Sequence, residues 1–251
     1  MINMIILSIL FLITAILYSS VGFGGGSTYL ALLLIWDIPY YIFPILALIC
    51  NVIVVSGNSF NYIRAGNHNI KLLIPFLIGS VPFSFLGGSL RIEKELFEII
   101  LFLVLSIAGL LLLINNKSYE DQKILIRKIN YFISLFIGSF LGLISGAVGI
   151  GGGIFLSPIL FLLKADKPKN IITAASLFIL INSISGIFGQ LTKDNILEEI
   201  INYWPLFCAV LLGGLFGNFL NLKIFSNRAL AILTSLLVIF VAIRMALKIF
   251  I

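Results

Sequence analysis

Charge is scarce in this sequence. Asp, Glu, Lys and Arg make up 10% of its 251 residues, with one histidine and two cysteines. Soluble domains carry about 25% charged residues. A soluble fold of this composition would expose more apolar surface than water tolerates. Two cysteines cannot build a disulfide framework, and Cys50 and Cys208 lie inside apolar runs, where they read as packing residues. No cluster of His, Cys, Asp and Glu suggests a metal site, so neither metal nor cofactor is expected. His68 sits in the polar loop Asn67-His68-Asn69 and reads as solvated. None of the carboxylates falls at a predicted bilayer centre, Glu98 being the nearest. With no acid, base or nucleophile constellation, no enzyme is expected. A Gly-Lys-Ser/Thr phosphate loop is also missing, so the chain cannot use ATP by that route. The net charge of +6 is not a nucleic-acid signal, because the basic residues lie in short loops where they set membrane orientation.

What the chain has instead is apolar length. It is 61% hydrophobic with a mean hydropathy of +1.19, and apolar runs of about 20 residues recur from end to end. The class is therefore all-α, a polytopic protein of the cell membrane whose partners are the lipid bilayer and a small solute. The N-terminal run from Met4 to Tyr18 lacks a basic leader and reads as part of the mature fold.

The order of features repeats. Gly22-Phe23-Gly24-Gly25-Gly26 returns as Gly149-Ile150-Gly151-Gly152-Gly153. Helices with Asn51 and Asn182 at comparable places follow, and Pro75 and Pro205 are expected to open the next ones. Gly87-Gly88 and Gly217-Asn218 come twelve residues after each proline. The halves are residues 1–115 and 124–251, each closing on an apolar run, with a linker at 116–123.

Each half opens with an apolar block of 33 residues, Met4 to Trp36 and Tyr131 to Leu163. At 1.5 Å per residue that is too long for one span of about 30 Å, and glycines interrupt each block. The block either crosses once as a broken helix or turns back as a hairpin. Loop charge favours the hairpin: it gathers eleven of the sixteen basic residues on one side, against nine for a single crossing. The halves are then inverted relative to each other, the linker is cytoplasmic, and three further transmembrane helices complete each half.

The glycine elements are the sharpest site candidates. Glycine-rich backbone inside a membrane is tolerated only where protein or a water-filled cavity satisfies it. Successive N–H groups leading into a helix N-terminus form a concavity for an anion. Gly22, Gly24, Gly25, Gly26 and Ser27 form one such element, and Gly149, Gly151, Gly152 and Gly153 the other. The bland alternative is close helix packing. Asn51 and Asn182, the latter beside Ser183, lie within apolar helices and must find partners there, either a solute or a neighbouring helix.

The doubled Gly-x-Gly-Gly-Gly element, Pro158 after its second copy, and the loop Arg64-Ala65-Gly66-Asn67 resemble the TauE/SafE sulfite exporter family over nearly the whole chain. The first half departs from the pattern near Ala31, where a proline is expected. The resemblance implies eight spans in two four-helix halves and transport, often outward, of a sulfur-containing anion such as sulfite or a sulfonate. The expected function is a secondary transporter of a small anion; an anion channel and a membrane scaffold or enzyme are the alternatives.

Overall fold

The computed structural model describes residues 2–36, 38–114, 126–193 and 196–221, together with Leu236, Ile239 and Ile243. The linker at 116–123 and most of the closing run from Ala229 to Ile251 lie outside the described residues. All regular structure among the described residues is helical. In chain order the helices are α1 (Ile2–Val21), α2 (Gly26–Ile35), α3 (Phe43–Arg64), α4 (Ile70–Ser89), α5 (Lys94–Ile114), α6 (Tyr131–Val148), α7 (Gly153–Leu162), α8 (Pro168–Gln190), the short α9 (Ile196–Ile200) and α10 (Trp204–Asn221). Six stretches among the described residues are long and apolar enough to cross a membrane; they fall on α1, α3, α4, α6, α8 and α10.

Both glycine-broken blocks turn back. Arg127, ahead of α6, donates its N–H to Lys164 O, just past α7, at 3.0 Å, so the chain leaves and re-enters at one end of the bundle. In the first block Met4 of α1 shares a groove with Trp204, and Tyr41, soon after α2, donates its hydroxyl to Glu199 at 2.6 Å. Both contacts fall at the end where α10 begins. The return legs, α2 and α7, are ten residues each, about 15 Å. Their N-termini therefore lie inside the bundle.

Small residues set the helix packing. On α6, Gly138, Gly142 and Gly146 recur every fourth residue, and a Cβ on each would strike the backbone of Phe76, Ser80 and Ser84 of α4. The ascending order on both helices means that α4 and α6 run parallel. On α10, Gly213 and Gly217 meet the carbonyls of Leu12 and Ile16 of α1 in the same parallel sense. Glycines at this spacing let backbones approach where lipid supplies no hydrophobic drive. The opposite face of α6 is apolar and open, with Phe132 77% and Phe136 72% exposed, as suits contact with lipid.

Hydroxyls tie these pairs to the centre. Ser84 donates to Asn182 O at 2.8 Å and Ser185 to Val81 O at 2.6 Å, joining α4 and α8. Ser59 and Ser176 join α3 and α8 at 3.1 Å. Pro75 does not open a helix. Asn69 accepts from Leu72 N–H at 3.1 Å and starts α4 upstream of it, leaving Pro75 and Pro82 inside the helix. An Asn cap satisfies the first-turn donors that a proline start would leave to chance.

Candidate functional site

The two glycine elements meet inside the bundle against α3 and α8. Asn51 stands eight residues beyond the start of α3, about 12 Å into the helix, and is fully buried. Its Nδ2 donates to Gly149 O at 3.3 Å. From the other side the first element presses on the same carboxamide. A Cβ at Gly26 would stand 2.7 Å from Asn51 Nδ2 and 3.0 Å from Gly149 O, and one at Gly24 would overlap Asn51 Oδ1. Only glycine fits between these groups.

The second element is gripped by α8. A Cβ at Gly151 would lie 3.0 Å from Asn51 Nδ2, 3.1 Å from Ser183 Oγ and 2.7 Å from Ile179. Gly153 is pressed against Ile179 and Ala175 O. Gly25 (φ 89°) and Gly152 (φ 76°) precede α2 and α7 in the left-handed region, which side chains rarely adopt. Each accepts the first N–H groups of its helix: Gly25 O from Thr28 and Tyr29, Gly152 O from Phe155 and Leu156. The N–H groups of Gly26 and Ser27, and of Gly153 and Ile154, open their helices and so have no partner within them. Ser27 is also tied to Tyr18, whose hydroxyl lies 3.2 Å from Ser27 Oγ and 2.9 Å from Thr28 Oγ1. Gly22 sits at the far edge of its element, against Tyr62 and Ile172.

Asn51 and Asn182 do not occupy equivalent places. Against the second element Ile179 stands where Asn51 stands against the first. Asn182 lies about one turn further on and donates to Phe178 O of its own helix at 2.9 Å. Ser183 touches the glycines instead. Asn51 Oδ1, Asn182 Oδ1, Ser183 Oγ and Ser145 Oγ are buried polar atoms without a hydrogen-bond partner in the structure. Orphaned buried polar groups cost free energy, and this set surrounds or borders one glycine crossing. Ser145 is engaged through its backbone, its carbonyl accepting from Gly149 N at 2.8 Å.

The chemistry on offer is neutral. The crossing is built from backbone N–H groups at two helix starts, hydroxyls and carboxamides. Among the described residues no group of three His, Cys, Asp or Glu could hold a metal ion. Ile179 escapes sequence reasoning, because one apolar residue in an apolar helix carries no signal. The packing of α8 sets it beside Ser183, against Gly151.

The model of the family described as Sulfite exporter TauE/SafE matches residues 7–245. The chain belongs to this family. It is 25% identical over 232 residues to a probable membrane transporter protein, y4hK, of Sinorhizobium fredii, covering 92% of this chain and 93% of that one. It is 31% identical over 196 residues to a probable membrane transporter protein, MJ0441, of Methanocaldococcus jannaschii, covering 72% of this chain and 70% of that one. No solved structure matches. The TauE/SafE membership and the six apolar spans make this chain a multi-pass protein of the membrane.

Proposed function

We propose that this TauE/SafE member is a secondary transporter that exports a small sulfur-containing anion, such as sulfite or a sulfonate, and that the anion passes through the glycine crossing. One observation carries the reading. The N-termini of two half-length helices, α2 and α7, return from the bundle interior toward opposite ends, and the glycines before them converge on Asn51. A helix N-terminus carries a partial positive charge, and broken helices of this kind hold anionic groups in other transporters. The proposed contacts are the N–H groups of Gly24, Gly25, Gly26, Ser27, Gly151, Gly152 and Gly153, with Asn51 and Ser183. Gly22, Gly149 and Asn182 frame them.

The reading includes two repeats, residues 1–115 and 124–251, inverted in the membrane about a cytoplasmic linker at 116–123. The helix directions support it: α1 starts at the end where α10 starts, and α6 starts at the end where α4 starts. The test is anion flux by the purified chain in liposomes, using sulfite, a sulfonate and acetate. Saturable, counterflow-competent movement of the sulfur anions is expected. Flux without saturation or counterflow would replace the carrier with a channel, and no flux of any anion would end the proposal.

A further inference from the structure

One fully buried hydroxyl at the glycine crossing makes no hydrogen bond. Tyr29 closes the first turn of α2, and its N–H donates to Gly25 O at 3.0 Å. Its side chain is wholly enclosed. The ring folds back on Gly25: a Cβ there would stand 3.0 Å from Tyr29 Cζ and 3.1 Å from its hydroxyl oxygen. Phe11 of α1, also enclosed, stacks on the ring with centroids 4.7 Å apart and planes at 25°. That stack fixes where the ring carries its oxygen. The hydroxyl is nevertheless a buried polar atom without a hydrogen-bond partner in the structure. Buried phenols usually find a partner, and leaving one unmet costs free energy.

The neighbouring tyrosine gives the contrast. Tyr18 is equally buried, but its hydroxyl is engaged by Ser27 and Thr28. One tyrosine braces the first turn of α2; the other leaves its hydroxyl at the glycine that opens it. The second element has no such phenol. Leu156 makes the backbone bond to Gly152 that Tyr29 makes to Gly25. The ring beside Gly152 is that of Phe178, whose Cε1 would lie 2.9 Å from a Cβ there. The two helix starts share their backbone bonding and differ in this ring.

We propose that the Tyr29 hydroxyl is a ligand of the transported anion, donating to one of its oxygens at the start of α2 while the N–H groups of Gly26 and Ser27 hold others. This rests on the function proposed above and extends its contacts to a side chain. The helix start supplies partial positive charge and N–H groups with no partner inside the helix. The phenol adds a directed donor, and an O–H bond to an anionic oxygen is roughly twice as strong as a neutral one. Phe11 already holds the ring, so little freedom is lost on binding. A group of three oxygens, as in sulfite or a sulfonate, can accept from the phenol and from the backbone through separate atoms. A halide offers one atom for all of them. Tyr29 therefore favours an oxyanion over a halide, and that preference is set at the α2 start.

The test uses Tyr29→Phe, which removes the oxygen and keeps the ring that Phe11 stacks on. Binding of sodium methanesulfonate, sodium sulfite and sodium bromide to the full chain in detergent is measured by calorimetry at matched ionic strength. The variant should bind methanesulfonate and sulfite about tenfold more weakly, the scale of one hydrogen bond to a charged group, and bromide less than about twofold more weakly. Without ligand its melting temperature should equal or exceed the parent's, because no bond is lost. Tyr18→Phe, which does lose bonds, should melt lower. Unchanged sulfonate affinity in Tyr29→Phe, an equal loss for bromide, or a fall in melting temperature as large as that of Tyr18→Phe would overturn the proposal. A parent chain that binds none of the three anions would overturn it together with the anion reading of the crossing. Sulfonate flux by the parent in liposomes with unchanged affinity in Tyr29→Phe keeps the export reading and removes the phenol. Weakened sulfonate binding in Tyr29→Phe with no flux by the parent keeps the phenol as a ligand and removes the export reading.

Discussion

At Asn51 a single carboxamide touches both halves of the chain. Its Nδ2 donates to Gly149 O at 3.3 Å, while Gly24 and Gly26 leave it the space that a side chain would fill. Interhelical polar contacts in membranes contribute about 0.6 kcal/mol each and rarely exceed about 2. Asn51→Leu should therefore leave a folded protein while abolishing anion flux in liposomes. Asn182→Leu should be milder, because that amide nitrogen bonds within its own helix; equal loss in both variants would contradict the geometry. Gly24→Val and Gly152→Val should both stop flux, the first by overlap with Asn51 and the second by its φ of 76°. Gel-filtration profiles matching the parent would show that passage rather than folding is lost. The amide pairing read from the sequence goes astray at this scale for a plain reason. A shift of about one turn in helix register is invisible in an apolar stretch, yet it decides whether Ile179 or Asn182 faces Gly151.

Between elements, the glycine ridges carry the packing. Gly142→Leu would drive a side chain into Ser80 of α4, and overpacking of this kind costs about 1–3 kcal/mol. A lower melting temperature in detergent is expected. Gly214→Ala is the contrast: its Cβ would meet Val54 only at 3.5 Å or more, ordinary contact, so its melting temperature should match the parent. If the two variants melt alike, the parallel α4–α6 contact is not what holds these helices together. The glycine-broken blocks are also decided at this scale. Their length exceeded one unbroken span, which left a broken single crossing or a hairpin, and loop charge favoured the hairpin. The bond from Arg127 N to Lys164 O displays the return.

For the whole molecule, the proposed inversion has a topological consequence. Cysteines placed at Lys117 and Glu198, in a background with Cys208 replaced by serine, should label from opposite sides of the membrane. Labelling from one side would overturn the proposed inversion of the two halves. The proposed energetics also belong here. The crossing among the described residues offers backbone dipoles, hydroxyls and amides, with no carboxylate or histidine to carry a proton. A potential of about 100 mV, inside negative, drives each exported negative charge by about 2.3 kcal/mol, roughly a fifty-fold gradient. Flux in liposomes with an imposed potential and no pH gradient should follow that potential. Movement that ignores the potential and follows only a pH gradient would put proton coupling in its place.

Composition determined that the chain lies in a membrane, because 61% apolar residues with 10% charge leave no stable alternative in water, and recurring apolar runs of about 20 residues determined that it is helical. The doubled glycine motif, with Pro158 and the Arg64-Ala65-Gly66-Asn67 loop, pointed to the family and marked where helices break, since glycine is the residue that lets backbone turn inside an apolar block. Hydrophobic runs say which segments cross, but lipid-facing and protein-facing residues are equally apolar, so they do not say which helices touch. That was left to tertiary structure. Parallel packing of α4 on α6 and α1 on α10 brings the two glycine elements, far apart in sequence, against one asparagine.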